Sequence, residues 1–189
     1  MKVRLIEEQV GYSGFFRLRR VTLEHERYDG TMSAPRVHEV LERSDVAAAV
    51  LFDPAADSIV MVEQFRPGAF AAGLHPWLLD IVAGRIEPGQ SPEEAIVREI
   101  AEESGLTPHA VEFIGSYLTA PHLSSERVHL FCAHVDASRI AGTRGLPEEG
   151  EDIRPVVMER AAALGLLQSG VLPLWAGLAL AWISLRRRE

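Results

Sequence analysis

Cysteine is all but missing: Cys132 is the only one in 189 residues. A lone cysteine cannot close an internal disulfide, which excludes a small disulfide-stapled scaffold. It lies in the apolar alternating run RVHLFCAHV, where a buried thiol behaving as a small hydrophobe is expected rather than a nucleophile. Positive charge is also scarce, with 19 Lys and Arg against 27 Asp and Glu and a net charge of −8. Such a balance does not neutralise a phosphate backbone, so nucleic acid is not an expected partner. It leaves room for a small anionic substrate, provided a metal supplies positive charge locally. Long hydrophobic runs are lacking too. The most apolar stretch, VLPLWAGLALAWISL at 171–185, has fifteen residues, against about twenty for a membrane span. It reads as a buried C-terminal helix, and no membrane partner is expected. The start, MKVRLIEEQVGYSG, has no apolar core of signal-peptide type. A cytoplasmic protein is expected.

What is present is an ordinary globular composition: 47% hydrophobic and 24% charged residues, enough for a sizeable core in a chain of this length. The first forty or so residues alternate like β-structure. GFFRLRRVTLEHERY and PRVHEVLER flank YDGTMSA, a turn signal built on Asp-Gly. VAAAVLFDP and SIVMVEQFR read as two apolar strands joined by a short turn. WLLDIVAG, 77–84, reads as one strand ending at Gly84. VEFIGSYL, VHLFCAHV and DIRPVVMER are strand-like, and ERAAALGLLQSG is helical. Strands, a helix, more strands and terminal helices predict an α/β or α+β sandwich with a mixed sheet. A seam near 41–45 separates an N-terminal β-domain, 1–44, from a second domain, 45–189.

Within the second domain lies AGRIEPGQSPEEAIVREIAEESGL, with five glutamates in the eleven residues 93–103. Like charges three or four apart destabilise a helix, so the cluster needs a reason. Ser91, Pro92 and Glu94 form a helix start, with Ser91 as N-cap and Glu94 closing a capping box. Glu93 and Glu94 also suit the positive end of the helix dipole. Gly105 is a plausible stop, so the helix runs from about Pro92 to Ser104. Glu99, Glu102 and Glu103 have no such explanation. They occupy an arc of roughly 100° bordering the one carried by Ile96, Val97 and Ile100, which faces the core. A solvated acidic face and a site for a hard cation both remain open on helix geometry alone. Gly84, ending a strand, and Gly89, after Pro88 in a tight loop, bring backbone close to these carboxylates.

The stretch resembles a Nudix box: Gly84, position 90, Arg98, Glu99, Ile100, Glu102, Glu103, Gly105 and Leu106 fall in the family's order and spacing. Position 90 is Gln where the family has Glu, which pairs with the box arginine. Gln90 can still hydrogen-bond to Arg98, without charge assistance. LFDP, VEQFR, PWLLDIVAG, SER and E-x-E-D-I at 149–153 are laid out as in bacterial ADP-ribose pyrophosphatases. GFF at 14–16 also fits. The resemblance implies a Nudix α/β/α sandwich with an N-terminal β-domain that exchanges across a homodimer.

The resemblance also implies roles. Metal ligands would be Glu99, Glu103 and Glu151 with the Ala83 carbonyl, and Glu102 would act directly or through water. Two or three Mg²⁺ ions are implied, with Mn²⁺ or Zn²⁺ as substitutes. Glu149 matches the general base, although its neighbour Glu148 leaves the assignment open. Arg98 belongs to the catalytic set. Arg66, Arg43 and Glu126 match substrate contacts, and Phe15 and Phe16 would stack on adenine. His38 stands where close relatives carry arginine, and Ala120 where they carry serine. The implied reaction is hydrolysis of ADP-ribose to AMP and ribose 5-phosphate. The alternatives are another nucleotide sugar, such as ADP-glucose or GDP-mannose, or a non-catalytic sensor that binds ADP-ribose.

Overall fold

Period-two alternation and β-branched side chains make the N-terminal residues strands. They form β1 (Val3–Ser13), β2 (Arg17–His25) and β3 (Arg36–Glu42). The computed structural model describes residues 1–186. Arg187 and Arg188 of the arginine tail, and the side chains of Glu149 and Ser169, lie outside the described residues. β1, β2 and β3 make an antiparallel sheet in that order. The Asp-Gly turn is present: Gly30 has φ +80°, and Asp29 Oδ1 accepts the Thr31 N–H at 2.9 Å. Residues 118–127 cluster with residues 1–44 as one compact unit.

The second unit comprises 45–117 and 128–189. Its elements are β4 (Val46–Asp53), β5 (Ser58–Phe65), the short α1 (Pro67–Ala71), β6 (Trp77–Asp80), β7 (Val82–Arg85) and α2 (Pro92–Ser104). β8 (Ala110–Leu118), β9 (Arg127–His134), β10 (Arg154–Glu159), α3 (Arg160–Ser169) and α4 (Leu174–Leu185) follow. The seven-stranded sheet runs β10-β5-β4-β9-β8, with β6 on β5 and β7 on β4. β4 and β9 are parallel, while β5, β7 and β10 make antiparallel pairs, so the sheet is mixed as expected.

Alternation along β4 divides the core. Ala47, Ala49 and Leu51 face one cluster, with Ala95, Ile96 and Ile100 of α2. Val46, Ala48 and Val50 face the other, with Ala163 of α3 and Ala176, Ala179, Leu180 and Ile183 of α4. The sheet is thus sandwiched between α2 and the α3/α4 pair. Burying Ile96 and Ile100 contributes about 1.5–3 kcal/mol each, which offsets part of the cost of the charged face beside them. Cys132 is buried in the second cluster, and burial pushes its thiol up to about 12, as expected of an inert side chain.

Three expectations need correction. The strand foreseen at 77–84 is two strands, so Gly84 sits inside β7 rather than ending the strand. β4 and β5 pair only at 51–53 and 58–60, and the chain switches from β5 to β4 at Ile81. There the Asp80 carboxylate takes up the Ile81 N–H at 2.9 Å. Val97 does not face the core: it is 38% exposed, because it lies one step round the helix from Ile96. The C-terminal helix is buried on one face only, with Leu174, Leu178 and Leu185 exposed. No helix among the described residues is long and apolar enough to cross a membrane.

The turn after β4 provides a pH test. Buried Asp53 accepts N–H bonds from Ala137 (2.9 Å), Ala55 (2.9 Å) and Ala56 (3.1 Å). These, with Ala137 foremost, hold its carboxyl below the usual aspartate range despite burial. A depressed folded-state pKa stabilises the fold above the unfolded value, about 3.9, and that stability is lost as pH falls through the folded value. Chemical denaturation of Asp53→Asn should therefore show a cost of about 1–3 kcal/mol at neutral pH, narrowing towards wild type below about pH 3.9. A pH-independent difference would exclude this origin.

Candidate active site

The capping reading of α2 holds in detail. Ser91 Oγ accepts the Glu94 N–H at 3.2 Å, and Glu94 Oε2 accepts the Ser91 N–H at 2.8 Å. Pro92 takes the first turn, and Gly105 ends the helix with φ +73°. These caps set the rotation of the helix and hence where its other acids point. Glu99 and Glu103 flank Ile96 and Ile100 and go into the packed side: Glu99 is 8% exposed and Glu103 2%. Two adjacent buried carboxylates are costly unless something offsets them.

Around them lie two further acids, Glu102 and Glu151, and two arginines, Arg98 and Arg66. Burial pushes Glu99 up to about 7, and the Arg98 guanidinium opposes this. Burial raises Glu103 well above the usual glutamate range. Glu99 adds to that shift, whereas Arg66 and the Ala83 N–H oppose it. The charge of Glu151 is felt by both acids. Arg98 pairs with Glu99 at 2.8 Å and Glu102 at 2.7 Å, and donates to the Arg85 carbonyl at 3.0 Å. Gln90 is not its partner: Gln90 Oε1 accepts the Glu87 N–H at 3.3 Å. With a neutral amide at 90, the guanidinium turns to the carboxylates on its own helix, where the attraction is stronger.

β7 supplies the floor. The Ala83 N–H donates to Glu103 Oε2 at 3.2 Å. A Cβ on Gly84 would lie 1.7 Å from Glu99 Oε1, so the carboxylate occupies the space a side chain would need. Gly84 shows no positive φ; space, not backbone conformation, requires glycine here. Arg66 follows β5 and pairs with Asp80. The loop carrying Glu151 is tied to α2 by the Gly145 N–H on the Glu102 carbonyl at 3.2 Å. Glu151 Oε2 itself accepts the Leu146 N–H at 3.1 Å. Among the described residues, no three acids, imidazoles or thiols form a closed ligand set in this arrangement. The donors still suit a hard divalent cation: carboxylate oxygens, two of them buried, against a strand in which a glycine clears their space.

The other expected residues, Glu149 apart, lie in the first unit. Arg43 pairs with buried Glu126 at 2.8 Å and lies over the Phe16 ring at 4.7 Å. Thr119 Oγ1 also donates to Glu126 at 3.0 Å. Phe15 and Phe16 meet edge to face at 4.8 Å, and Phe15 is 76% exposed, so it is not a core aromatic. The Ala120 carbonyl accepts the Leu123 and Ser124 N–H groups in a turn. His38 is exposed on β3. The side chain of Glu149 lies outside the described residues.

Sequence reasoning missed Asp80 and Trp175, which meet at 2.8 Å. The available signal was an acid at the end of the apolar run WLL, since a buried carboxylate needs a partner.

The family model for the NUDIX domain matches residues 42–172. The chain belongs to the Nudix family. It is 36% identical to the ADP-ribose pyrophosphatase of Escherichia coli K12, over 98% of this chain and 90% of that protein. Identity to the ADP-ribose pyrophosphatase of Haemophilus influenzae is 35%, over 97% and 86%. It is also 30% identical to the GDP-mannose pyrophosphatase of Cronobacter sakazakii, over 91% and 89%. A crystal structure of an ADP compounds hydrolase superposes with a TM-score of 0.68, covering 89% of this Nudix chain and 84% of that one. At 22% identity, that match bears on fold alone.

Proposed function

We propose that this Nudix chain hydrolyses the pyrophosphate bond of ADP-ribose, giving AMP and ribose 5-phosphate in a Mg²⁺-dependent reaction. The observation that carries this reading is the buried pair Glu99 and Glu103 against Gly84, an excess of negative charge that a cation would neutralise. Near-full-length similarity to ADP-ribose pyrophosphatases supports the choice of substrate.

Two or three Mg²⁺ ions, held by Glu99, Glu103, Glu151 and the Ala83 carbonyl with Glu102 nearby, would supply positive charge to the diphosphate and acidify water. Arg66 offers the diphosphate a guanidinium. Arg98 keeps Glu99 and Glu102 in place. Glu149 takes the proton of the attacking water. One phosphorus–oxygen bond forms to that water, the bridging bond breaks, and its electron pair leaves on the departing phosphate. Placing the base on a loop lets closure around substrate complete the site. Phe15, Phe16, Arg43 and Glu126 serve the nucleoside and sugar ends, with His38 and Ala120 as the positions that tune which sugar or base is accepted. The protein acts as a cytoplasmic homodimer; β1 is exposed along its whole length, with Val3, Leu5, Val10 and Tyr12 for a second copy to cover.

The test is product analysis with ADP-ribose, with and without Mg²⁺. AMP and ribose 5-phosphate appearing only with Mg²⁺ is the expected result. A kcat/KM for GDP-mannose about tenfold or more above that for ADP-ribose would overturn the substrate. Binding of ADP-ribose without turnover of any nucleotide sugar would overturn the activity.

A further inference from the structure

Asp80 ends β6 with no exposed surface, and its carboxylate receives donors from three places in the chain. Oδ2 accepts from Arg66 Nη2, at the end of β5. Oδ1 accepts the Ile81 N–H at 2.9 Å, where the chain switches strands, and Trp175 Nε1–H at 2.8 Å, from the first turn of α4. The Arg66 side chain remains 29% exposed, and its charge is felt by Glu103. One nitrogen of the guanidinium is therefore held from inside, while the side chain keeps exposed surface and its charge acts on Glu103.

An arginine in that position has two competing partners. Without Asp80 the buried Glu103 would attract it, and the guanidinium would be spent on the acid pair instead of on an incoming anion. Held by Asp80, it keeps N–H groups for a diphosphate and loses less freedom on binding. Asp80 in turn needs its other oxygen satisfied, because a buried carboxylate with a free lone pair would reorient. Trp175 and Ile81 satisfy it. The indole comes from α4, on the opposite face of the sheet from α2.

We propose that Asp80 and Trp175 are positioning residues that hold Arg66 for the diphosphate, so that the seating of α4 helps to set substrate affinity. This rests on the pyrophosphatase reading above. Neither residue touches substrate; both act through Arg66.

The experiment compares the full-length wild type with Trp175→Phe, Asp80→Asn, Arg66→Ala and the Arg66→Ala/Trp175→Phe double variant. Two readouts are taken: KM and kcat for ADP-ribose, and ADP-ribose affinity by calorimetry without divalent cation. Trp175→Phe keeps an aromatic side chain, though a smaller one, and removes the donor. It should raise KM about fivefold and weaken cation-free binding similarly, within the coupling range of side chains sharing one network. kcat should stay within about twofold. Asp80→Asn should have a larger effect in the same direction. In the Arg66→Ala background, Trp175→Phe should change KM no further, which a merely structural role would not produce. If the wild type turns over ADP-ribose and Trp175→Phe matches it in both readouts, the inference fails alone. It also fails alone if the Trp175→Phe effect persists without Arg66. If the wild type neither binds nor hydrolyses ADP-ribose, the inference and the functional reading both fail.

Discussion

Glu103→Gln should leave the fold intact and remove the activity. Glu103 is the more buried of the acidic pair, 2% exposed against 8% for Glu99. The hydrogen bond it accepts from the Ala83 N–H is of a kind that an amide oxygen can also accept. The substitution therefore removes an ionisable group from a place where charge is expensive, without emptying volume, and leaves an oxygen for the Ala83 N–H. Thermal unfolding in cation-free buffer should shift upward or not at all. A cation-held transition state would lose a ligand, and kcat for ADP-ribose should fall ~10³-fold or more, equivalent to about 4 kcal/mol. Isothermal titration with Mg²⁺ should show weakened binding. Activity near wild type would mean that the acidic pair holds no catalytic cation. A large drop in melting temperature would mean that Glu103 is a structural acid. Opposite signs for stability and activity are what a functional site predicts, since such sites keep groups that the fold alone would discard.

Gly84→Ala should be nearly as damaging, for a steric reason. The added methyl would fall 1.7 Å from Glu99 Oε1 and 1.9 Å from Glu99 Cδ. Those atoms are the end of a flexible side chain, and position 84 has no positive φ to forbid alanine. The backbone can accept the change, and Glu99 must swing away. The expected result is a melting temperature within a few degrees of wild type with kcat lowered ~10²-fold or more, since a displacement of about 1 Å at a reacting centre costs that much. Far-ultraviolet circular dichroism and steady-state kinetics on one preparation check both halves. If activity survives, Glu99 is not needed where the structure places it. If the protein unfolds, β7 is packed more tightly than the glycine contact indicates.

Much of the site was legible because it is local. Ser91, Pro92, Glu94 and Gly105 set both ends of α2, and a 3.6-residue period then fixes the directions of Glu99, Glu102 and Glu103. Val97 lies next to the core arc, where a single step round the helix decides exposure, and it falls on the exposed side. The resemblance allows a Gln90–Arg98 hydrogen bond, but Arg98 pairs with Glu99 and Glu102, the charged neighbours on its own helix. The strand at 77–84 read as continuous because its apolar pattern continues. Its division depends on how far β4 and β5 diverge, which no local residue reports.

Local sequence was enough for the family, the acidic helix and its caps, the buried cysteine, and alternating strands sufficient to build a mixed sheet. Each of these follows from neighbours within a few positions or from a fixed spacing. Only the tertiary structure decided that Gly84 makes room for Glu99, fifteen positions on, that the parallel β4–β9 pair centres the sheet, and that Trp175 reaches Asp80 across 95 positions. The physical reason is that these contacts depend on close packing between distant segments. Their energies arise only once both faces of the sheet are covered.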